Sequence, residues 1–291
     1  MNYSFIIPHY NTPQLLKRLL DTIPSRSDSE IIIVDDNSSS TVVDFENFPG
    51  KNRDDVIIIY NKEGKGAGHA RNMGMEVAKG KWLIFADSDD FFDKDLYSKL
   101  DRYIEAEDEM ILFKASSVYS DSLQPSNRHE GLNSLIDKCM SGKRTAQSIS
   151  LSIHSPWCRM VSRQFVVENK ILFDEVPAAN DVMFTTMVTC LSHSIKVSPE
   201  VLYVVTYREG SLWNSKKQSN NYLVRVDVAI RRKLYLKDHG VLTPPLFIFL
   251  IHHGFIDWRT NLEAFKKCIK KKVLFADFIP FVLNRYQSKK I

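Results

Sequence analysis

Short apolar runs alternate with helix-like patterns through the first third of the chain. Helices are predicted over 13–23 and 66–80, where apolar or small residues recur at helical spacing. Around them, buried strands are predicted in "YSFIIP" (3–8), "EIIIVDD" (30–36), "VIIIY" (56–60) and "KWLIFADSDD" (81–90). Strands that alternate with helices build a mainly parallel central sheet flanked by helices, so we expect an α/β domain.

The start of the first helix carries a capping pattern. Thr12 stands at the N-cap position and Pro13 in the first turn, which is a common way to begin a helix. We therefore expect Thr12 to cap the helix over 13–23.

The pattern is less regular beyond residue 95. Further elements are predicted as helices at 95–106, near 131–141 and at 181–191, strands at 110–115 and 195–207, and a strand with a short helix inside 157–173. From residue 222 onward the chain is helical in pattern and basic. The sequence therefore predicts a sheet domain over 1–210 and a helical, basic C-terminal region over 211–291.

Composition restricts the class of protein. A chain of 291 residues with 44% hydrophobic side chains can bury a sizeable core. No apolar stretch reaches the roughly 18 residues that span a bilayer, and "MNYSFIIPHYN" lacks the features of a signal peptide, so we expect a cytoplasmic protein. Reduced thiols are expected, because no CxxC pair occurs among the cysteines Cys139, Cys158, Cys190 and Cys268.

Charge is distributed unevenly between the two parts. Residues 210–291 hold 16 of the 39 Lys and Arg but only 5 of the 35 Asp and Glu. Aromatic and apolar clusters at 246–259 and 275–286 flank "KKCIKKK" (266–272), which fits either a core-packing helix with a solvated basic face or peripheral contact with an anionic membrane. A nucleic-acid partner is not expected, since the first 209 residues are acidic in balance and no nucleic-acid motif is present.

Acidic residues follow two of the predicted strands. Asp35-Asp36 ends the second strand, and Asp87-Ser88-Asp89-Asp90 ends the fourth. Ligands of open parallel sheets bind beyond these carboxyl ends, and Mn²⁺ or Mg²⁺ takes one or two protein carboxylates and completes its shell with phosphate and water. Taken singly, each pair could equally cap a helix or form a turn.

The glycine-rich segment "NKEGKGAGHARNMG" (61–74) carries Arg71 close to the same edge. It matches neither the GxGxxG spacing nor a P-loop. Arg71 suits either a surface ion pair or a diphosphate.

Five motifs in order resemble the family 2 inverting glycosyltransferases with a GT-A fold. They are "SFIIPHYN", "EIIIVDDNSSS", "GAGHARNMGMEVAKGKWLIFADSDDFF", "WCRMVSRQFVVENKILFDE" and "NDVMF", and together they cover about the first 210 residues. The resemblance implies transfer of a sugar from a nucleotide-diphosphate donor, with UDP as the expected nucleotide, and a Mn²⁺ or Mg²⁺ cofactor. The implied acceptor is a glycan or a lipid-linked molecule in cell-surface polysaccharide assembly.

The resemblance also implies roles for individual residues. Asp87-Ser88-Asp89 matches the DxD motif, with Asp87 near the ribose and Asp89 on the metal. Trp157 matches a tryptophan on the acceptor side, although a buried structural tryptophan is the alternative. The residues implied to border the nucleotide are Pro8, His9, Tyr10, Asn11, Asp35, Arg71 and Asn72, whereas Asp36 is expected to be structural.

The general base is the least regular part of the pattern. The family carries an acid pair at the opening of a late helix, and this chain has Asn180-Asp181 there. Asp181 is therefore the expected base, and the resemblance implies inversion at the anomeric carbon. The alternative for Asp181 is an acid that merely favours a helix N-terminus.

Two other functions remain open from the residues alone. An aspartate-nucleophile phosphohydrolase would use "FADSDD", but it gives no role to the acids after the second strand. A non-catalytic nucleotide-binding protein of the same fold would account for the departure at Asn180.

Overall fold

The computed structural model describes residues 1–207, 219–253 and 257–275. Its strands are β1 (Tyr3–His9), β2 (Ser29–Asp36), β3 (Val56–Asn61), β4 (Trp82–Phe85), β5 (Phe91–Phe92), β6 (Met110–Tyr119), β7 (Arg159–Ser162) and β8 (Ile195–Tyr207). Within the described residues they form one sheet in the order β3-β2-β1-β4-β7-β6-β8-β5.

Helices lie between and after the strands. They are α1 (Pro13–Asp21), α2 (Ala67–Val77), α3 (Leu96–Leu100), α4 (Glu130–Met140), α5 (Ala146–Ser150), α6 (Arg163–Glu168), α7 (Val182–Leu191), α8 (Ser219–Asp238), α9 (Leu246–His253) and α10 (Trp258–Lys270). The expected mixture of strands and flanking helices is confirmed.

The first half of the sheet is parallel. β1 lies between β2 and β4 and pairs with both in the parallel sense, and β2 pairs with β3 likewise. Every residue of β1 and β2 is buried, because helices cover both faces of a parallel sheet. His9 faces Asp35 in register, so the carboxyl ends of these strands meet at one edge.

Small residues let α2 lie close to this sheet. A Cβ added at Gly74 would stand 2.6 Å from Cγ2 of Ile6 on β1. The small-residue face of the helix therefore sets how near α2, with Arg71, approaches the strand ends.

The second half of the sheet is mixed. β7 pairs antiparallel with both β4 and β6, β6 pairs parallel with β8, and the two-residue β5 pairs antiparallel with β8. This arrangement brings the end of β8 behind the acids that follow β4: the Thr206 amide donates to Asp90 Oδ1 at 2.7 Å.

Three local expectations differ from the structure. Thr12 occupies the N-cap position of α1, but its side chain makes no cap hydrogen bond and instead contacts the Ser88 hydroxyl at 3.0 Å. β4 ends at Phe85, so the following acids lie in a turn. The helix expected over 95–106 is divided into α3 and a 3₁₀ turn over 101–103.

The C-terminal helices have their own small core. Eight buried residues form it, namely Tyr222, Val226, Ile230, Leu246, Ala264, Cys268, Val273 and Leu274. α8 is joined to the first part of the chain by Arg231, which donates to both carboxylate oxygens of Asp174. The division at residue 210 stays a prediction, and the apolar segment expected over 275–286 lies outside the described residues after Phe275.

None of the helices in the described ranges has both the length and the apolar character to cross a bilayer.

Candidate active site

The strand-end acids after β2 are held by buried hydrogen bonds. Asp35 is 2% exposed and accepts from His9 Nδ1 at 2.7 Å and from the Ser38 amide at 3.1 Å. The Thr12 amide donates to His9 Nε2 at 3.2 Å, so Nδ1 carries the ring proton. Burial opposes ionisation, but the bonds from His9 and Ser38 hold the pKa of Asp35 below its ordinary value.

Asp36 fixes the start of α2. Its oxygens accept from Asn61 Nδ2 at 2.8 Å and from the Gly66 amide at 2.6 Å. These contacts agree with a structural role, which the sequence predicts for this residue.

The loop after β1 presents a polar and aromatic surface at the same edge. Tyr10 is 60% exposed, whereas Pro8 is buried within β1. Asn11 has a positive φ of 53°, and its amide donates to Ser38 Oγ while its Oδ1 accepts from the Ser39 amide, both at 2.8 Å. The β1 and β2 loops are thus joined into one rim, from which the Tyr10 ring projects.

The turn after β4 concentrates three carboxylates. The Asp87 amide donates to the Tyr203 hydroxyl at 2.9 Å, and the Asp89 carbonyl accepts from Arg18 Nη2 at 2.6 Å. Asp90 is 2% exposed, and burial together with the charges of Asp89 and Asp87 raises its pKa well above the ordinary value. Crowded carboxylates of this kind favour a cation.

Arg71 connects this turn to the segment before α7. Its Nη2 lies 2.5 Å from Asp87 Oδ1, and its Nη1 lies 3.1 Å from Asn180 Oδ1. The guanidinium stands over the Phe173 ring, 5.3 Å from the centroid, and the side chain is only 6% exposed. A surface ion pair, the alternative weighed from the sequence, does not describe a residue this buried.

The Asn72 side chain faces the backbone of Phe173 rather than the carboxyl ends of the strands. Its Oδ1 accepts from the Phe173 amide at 2.8 Å, and its Nδ2 donates to the Phe173 carbonyl at 3.0 Å. Because the side-chain amide is bonded on both sides to this backbone, its position is explained by holding the 171–175 segment. Contact of Asn72 with a nucleotide stays a prediction.

Asp181 begins α7 at the N-cap position. Among the described residues of the first turn of α7, no backbone amide donates a capping hydrogen bond to the Asp181 carboxylate. Burial raises the pKa of Asp181 and the charge of Asp87 acts in the same direction, whereas Arg71 and Arg225 oppose the rise. The carboxylate therefore does not serve as the cap of its own helix, and its role as a base stays a prediction.

Trp157 packs under the same turn. It is 8% exposed and stacks on Tyr203 with ring centroids 5.1 Å apart and planes 11° apart. Since the Tyr203 hydroxyl holds the Asp87 amide, Trp157 supports the acidic turn from below. Contact with an acceptor stays a prediction.

The oxygen ligands suit a hard divalent cation. Asp87 and Asp89 could supply one or two carboxylates, which is the number that Mg²⁺ or Mn²⁺ takes beside substrate phosphates. Over the described ranges, no cluster of three His, Cys, Asp or Glu side chains is arranged to hold a metal by itself. A cation at this turn would therefore complete its shell with phosphate oxygens or water.

Three residues of this site were not anticipated from the sequence. Tyr203 and Thr206 come from β8 and bond the acidic turn across 116 residues of chain. Arg18 of α1 holds the Asp89 and Ser120 carbonyls. Local pattern gives no signal for such contacts, because they depend on the order of strands in the sheet.

Comparison with known proteins identifies the class. The sequence model of glycosyl transferase family 2 matches residues 4–168, so the chain belongs to this family. It is 27% identical over 218 residues to the poly(ribitol-phosphate) beta-glucosyltransferase of Bacillus spizizenii, covering 72% of this chain and 33% of that protein. It is 26% identical over 229 residues to the poly(ribitol-phosphate) beta-N-acetylglucosaminyltransferase TarS of Staphylococcus aureus, covering 74% and 37%.

Solved structures confirm the fold. TarS residues 1–349 of S. aureus in complex with UDP-GlcNAc superpose with a TM-score of 0.62 at 23% identity, covering 79% of this chain and 66% of that one. A mannosyltransferase from Pyrobaculum calidifontis with GDP-Man and Mn²⁺ gives 0.58 at 16% identity, covering 97% and 80%. The expected GT-A fold is therefore present. The chain spans about a third of the length of the curated relatives it matches.

Proposed function

We propose that the protein transfers a sugar from a UDP-sugar to a glycan or lipid-linked acceptor, with a divalent cation and with inversion at the anomeric carbon. One observation carries the proposal. One buried guanidinium, that of Arg71, contacts the donor-side acid Asp87 and also Asn180, the residue next to Asp181. Arg71, which would bind the leaving diphosphate, is thereby connected to the segment that carries Asp181, which would activate the acceptor.

Each residue type suits its step. Arg71 would stabilise negative charge on the departing diphosphate, Asp89 would hold the cation, and Asp87 would lie near the ribose. When bound, the cation supplies further charge neutralisation at the diphosphate. Asp181 would accept the proton of the acceptor hydroxyl, and no covalent intermediate with the enzyme is required.

The names of relatives and neighbours support parts of this assignment. TarS has been crystallised with UDP and UDP-GlcNAc, and the P. calidifontis enzyme with Mn²⁺. Two curated relatives are named for transfer to poly(ribitol-phosphate). By similarity we propose a UDP-linked glucose or N-acetylglucosamine donor and an acceptor from cell-surface polymer assembly.

The test is calorimetric titration of UDP into the protein with Mn²⁺, then with a chelator, on the wild type and on Asp89→Ala. We expect binding that requires the metal and is lost in Asp89→Ala. Asp54→Ala, at an exposed turn before β3, is the matched control and should bind as the wild type does. If the wild type binds none of UDP, GDP and dTDP under any condition, the proposed donor site is wrong.

We also propose that α10 contacts an anionic membrane surface near a lipid-linked acceptor. Four exposed apolar side chains occupy one face of the helix, at spacings of four, three and four residues: Trp258, Leu262, Phe265 and Ile269. Arg259, Lys266 and Lys270 flank this stripe on one side together with the exposed acid Glu263, which leaves a net positive charge toward acidic headgroups. Lys267 instead pairs with Asp227 at 2.6 Å.

Vesicle sedimentation tests this contact. Binding to vesicles that contain phosphatidylglycerol should be lost when Lys266, Lys270, Lys271 and Lys272 are changed to Glu, or when Trp258 and Phe265 are changed to Ser. Charge reversal of Lys51, Lys62 and Lys94, which are exposed in the first part of the chain, is the control. Equal binding by all variants would contradict the proposal.

A further inference from the structure

Arg18 of α1 joins two loops at the carboxyl edge of the sheet. Its Nη2 donates to the Asp89 carbonyl at 2.6 Å, and its Nη1 donates to the Ser120 carbonyl at 2.9 Å. The guanidinium lies over the Phe91 ring, with Cζ 5.1 Å from the ring centroid. Because a planar guanidinium presents its donors in a rigid fork, Arg18 fixes the acidic turn relative to residue 120.

The end of β8 holds both of these loops as well. Ser120 follows β6, and its amide donates to the carbonyl of Tyr207, the last residue of β8, at 2.9 Å. Thr206 Oγ1 donates to the Asp89 carbonyl at 2.9 Å, and the Thr206 amide donates to Asp90 Oδ1 at 2.7 Å. The main chain of Asp89 is therefore anchored to a helix and to a strand of the sheet at the same time.

The charge of Arg18 acts on the acidic turn separately from these bonds. Burial lowers the pKa of Arg18, and the charges of Asp90 and Asp89 oppose that lowering, so the guanidinium stands within electrostatic range of both acids. A positive charge at this distance repels an incoming divalent cation. Arg18 would therefore favour cation binding only through the position that it gives to Asp89.

Divalent cations differ in how strictly they need such a fixed ligand. Mg²⁺ demands near-ideal octahedral geometry at about 2.0 to 2.1 Å, whereas Ca²⁺ accepts flexible geometry at about 2.3 to 2.6 Å. Residues that orient a metal ligand from behind typically change metal affinity by about 10- to 100-fold. A fixed Asp89 should therefore favour Mg²⁺, and loosening it should cost Mg²⁺ more than Ca²⁺.

We propose that Arg18 is a positioning residue for Asp89 that makes the site prefer Mg²⁺ to Ca²⁺. This inference rests on the proposed function, in which Asp89 holds a cation beside the donor diphosphate. It assigns part of the cation selectivity to α1, acting through the backbone of the acidic turn.

The experiment measures how much Mg²⁺, and separately how much Ca²⁺, gives half-maximal UDP binding in calorimetric titrations of the wild type and Arg18→Lys. Lysine keeps the positive charge but lacks the planar fork that bonds both carbonyls. We expect Arg18→Lys to raise the half-maximal Mg²⁺ concentration about tenfold or more and that of Ca²⁺ less than about threefold. The ratio of the two concentrations is the readout, since a general loss of structure would raise both.

Arg53 provides the matched control. It also bonds two backbone carbonyls, those of Leu20 and Ile23, both at 2.9 Å, but at the other end of α1. Arg53→Lys should therefore leave the ratio unchanged. Thr206→Val removes the second donor to the Asp89 carbonyl without changing any charge, so it should shift the ratio a few-fold in the same direction as Arg18→Lys.

The outcomes separate this inference from the proposed function. A wild-type ratio in Arg18→Lys, an equal rise for both cations, or an equal shift in Arg53→Lys would overturn the role of Arg18 and leave the donor site standing. If Arg18→Lys does not fold, an unchanged ratio in Thr206→Val overturns it. If Ca²⁺ supports UDP binding in neither protein, a rise for Mg²⁺ below about threefold overturns it. UDP binding by the wild type without any cation, or no UDP binding at all, would instead refute the proposed function.

Discussion

The strand-end site buries polar side chains, whereas the C-terminal helices expose apolar ones. At the site, Arg71 and Asp35 are almost fully buried and each is paired within the fold. On α10, Trp258 and Ile269 are 63% and 53% exposed. Buried polar groups need fixed partners, so the first region has little freedom, whereas the second presents a surface. Substitutions should therefore have large effects in the first region and small ones in the second.

The largest effect is expected at Asp181. Asp181→Asn removes the proposed base but leaves the helix start intact, because the carboxylate caps nothing in the first turn of α7. We expect kcat for UDP-GlcNAc or UDP-glucose hydrolysis to fall by about 10² to 10⁴ while UDP affinity is retained. UDP release is the measurement, and Asp238→Asn at the exposed end of α8 is the control. Unchanged turnover would show that Asp181 is not the base, whereas absence of turnover in the wild type would favour a non-catalytic nucleotide-binding protein.

The next effect is on stability and concerns how closely α2 packs. Gly68→Ala would bring a Cβ to 2.0 Å from the Asp174 carbonyl, so the 174–180 segment must shift. Overpacking of this kind costs about 1 to 3 kcal/mol. Thermal or urea unfolding should show this loss, together with slower donor hydrolysis.

Gly131→Ala provides the matched comparison. A Cβ at Gly131, in the first turn of α4, meets nothing within 4 Å, so alanine should be neutral or stabilise by up to about 1 kcal/mol. Equal stability of the Gly68 and Gly131 variants would show that the 174–180 segment is not rigid.

A smaller effect is a displacement of the pH profile. Burial raises the pKa of Asp181, and a general base acts only when it is deprotonated. Activity should therefore fall, as pH is lowered, at a higher pH than the value of about 4 that an ordinary aspartate would give. The stability of the fold should change with pH in the opposite direction to activity. Because the pKa of Asp181 is raised in the folded state, its protonated form stabilises the fold at pH values below its unfolded-state pKa. This stabilisation is lost as the pH rises through the folded-state pKa.

The measurement is kcat for donor hydrolysis against pH, with UDP affinity followed over the same range. If the acid limb appears only near the pKa of an ordinary aspartate, Asp181 is either not the base or is better solvated than its half-buried position implies.

Sequence alone predicted every described strand except the two-residue β5, and it predicted the edge on which the acids lie. Runs such as "EIIIVDD" are apolar because both faces of the parallel half are covered, and this signal is local. The partners of those acids were not predictable. Tyr203 bonds Asp87 across 116 residues and Arg71 bonds Asn180 across 109, and these contacts follow from the strand order and from the closed 174–180 segment. Thr12 shows the same limit, since its hydroxyl contacts Ser88 rather than capping α1.

The smallest effect is expected where the two regions meet. Arg231 of α8 donates to Asp174 at 2.8 and 2.7 Å, but its side chain is 46% exposed, so the pair should contribute less than about 1 kcal/mol. A hydrogen bond from the Asp174 amide to the Asn180 carbonyl also holds Asp174 in place. Arg231→Ala should therefore lower kcat for donor hydrolysis no more than a few-fold and leave UDP affinity unchanged.

Lys237→Ala, an exposed change on the same helix, is the control, and Arg231→Lys tests whether charge alone restores the rate. A loss of kcat beyond about tenfold, with normal unfolding, would contradict the contrast between the two regions. In that case α8 would act on Asp181 through Asp174 and Asn180, and the C-terminal helices would have to be counted as part of the site rather than as a surface beside it.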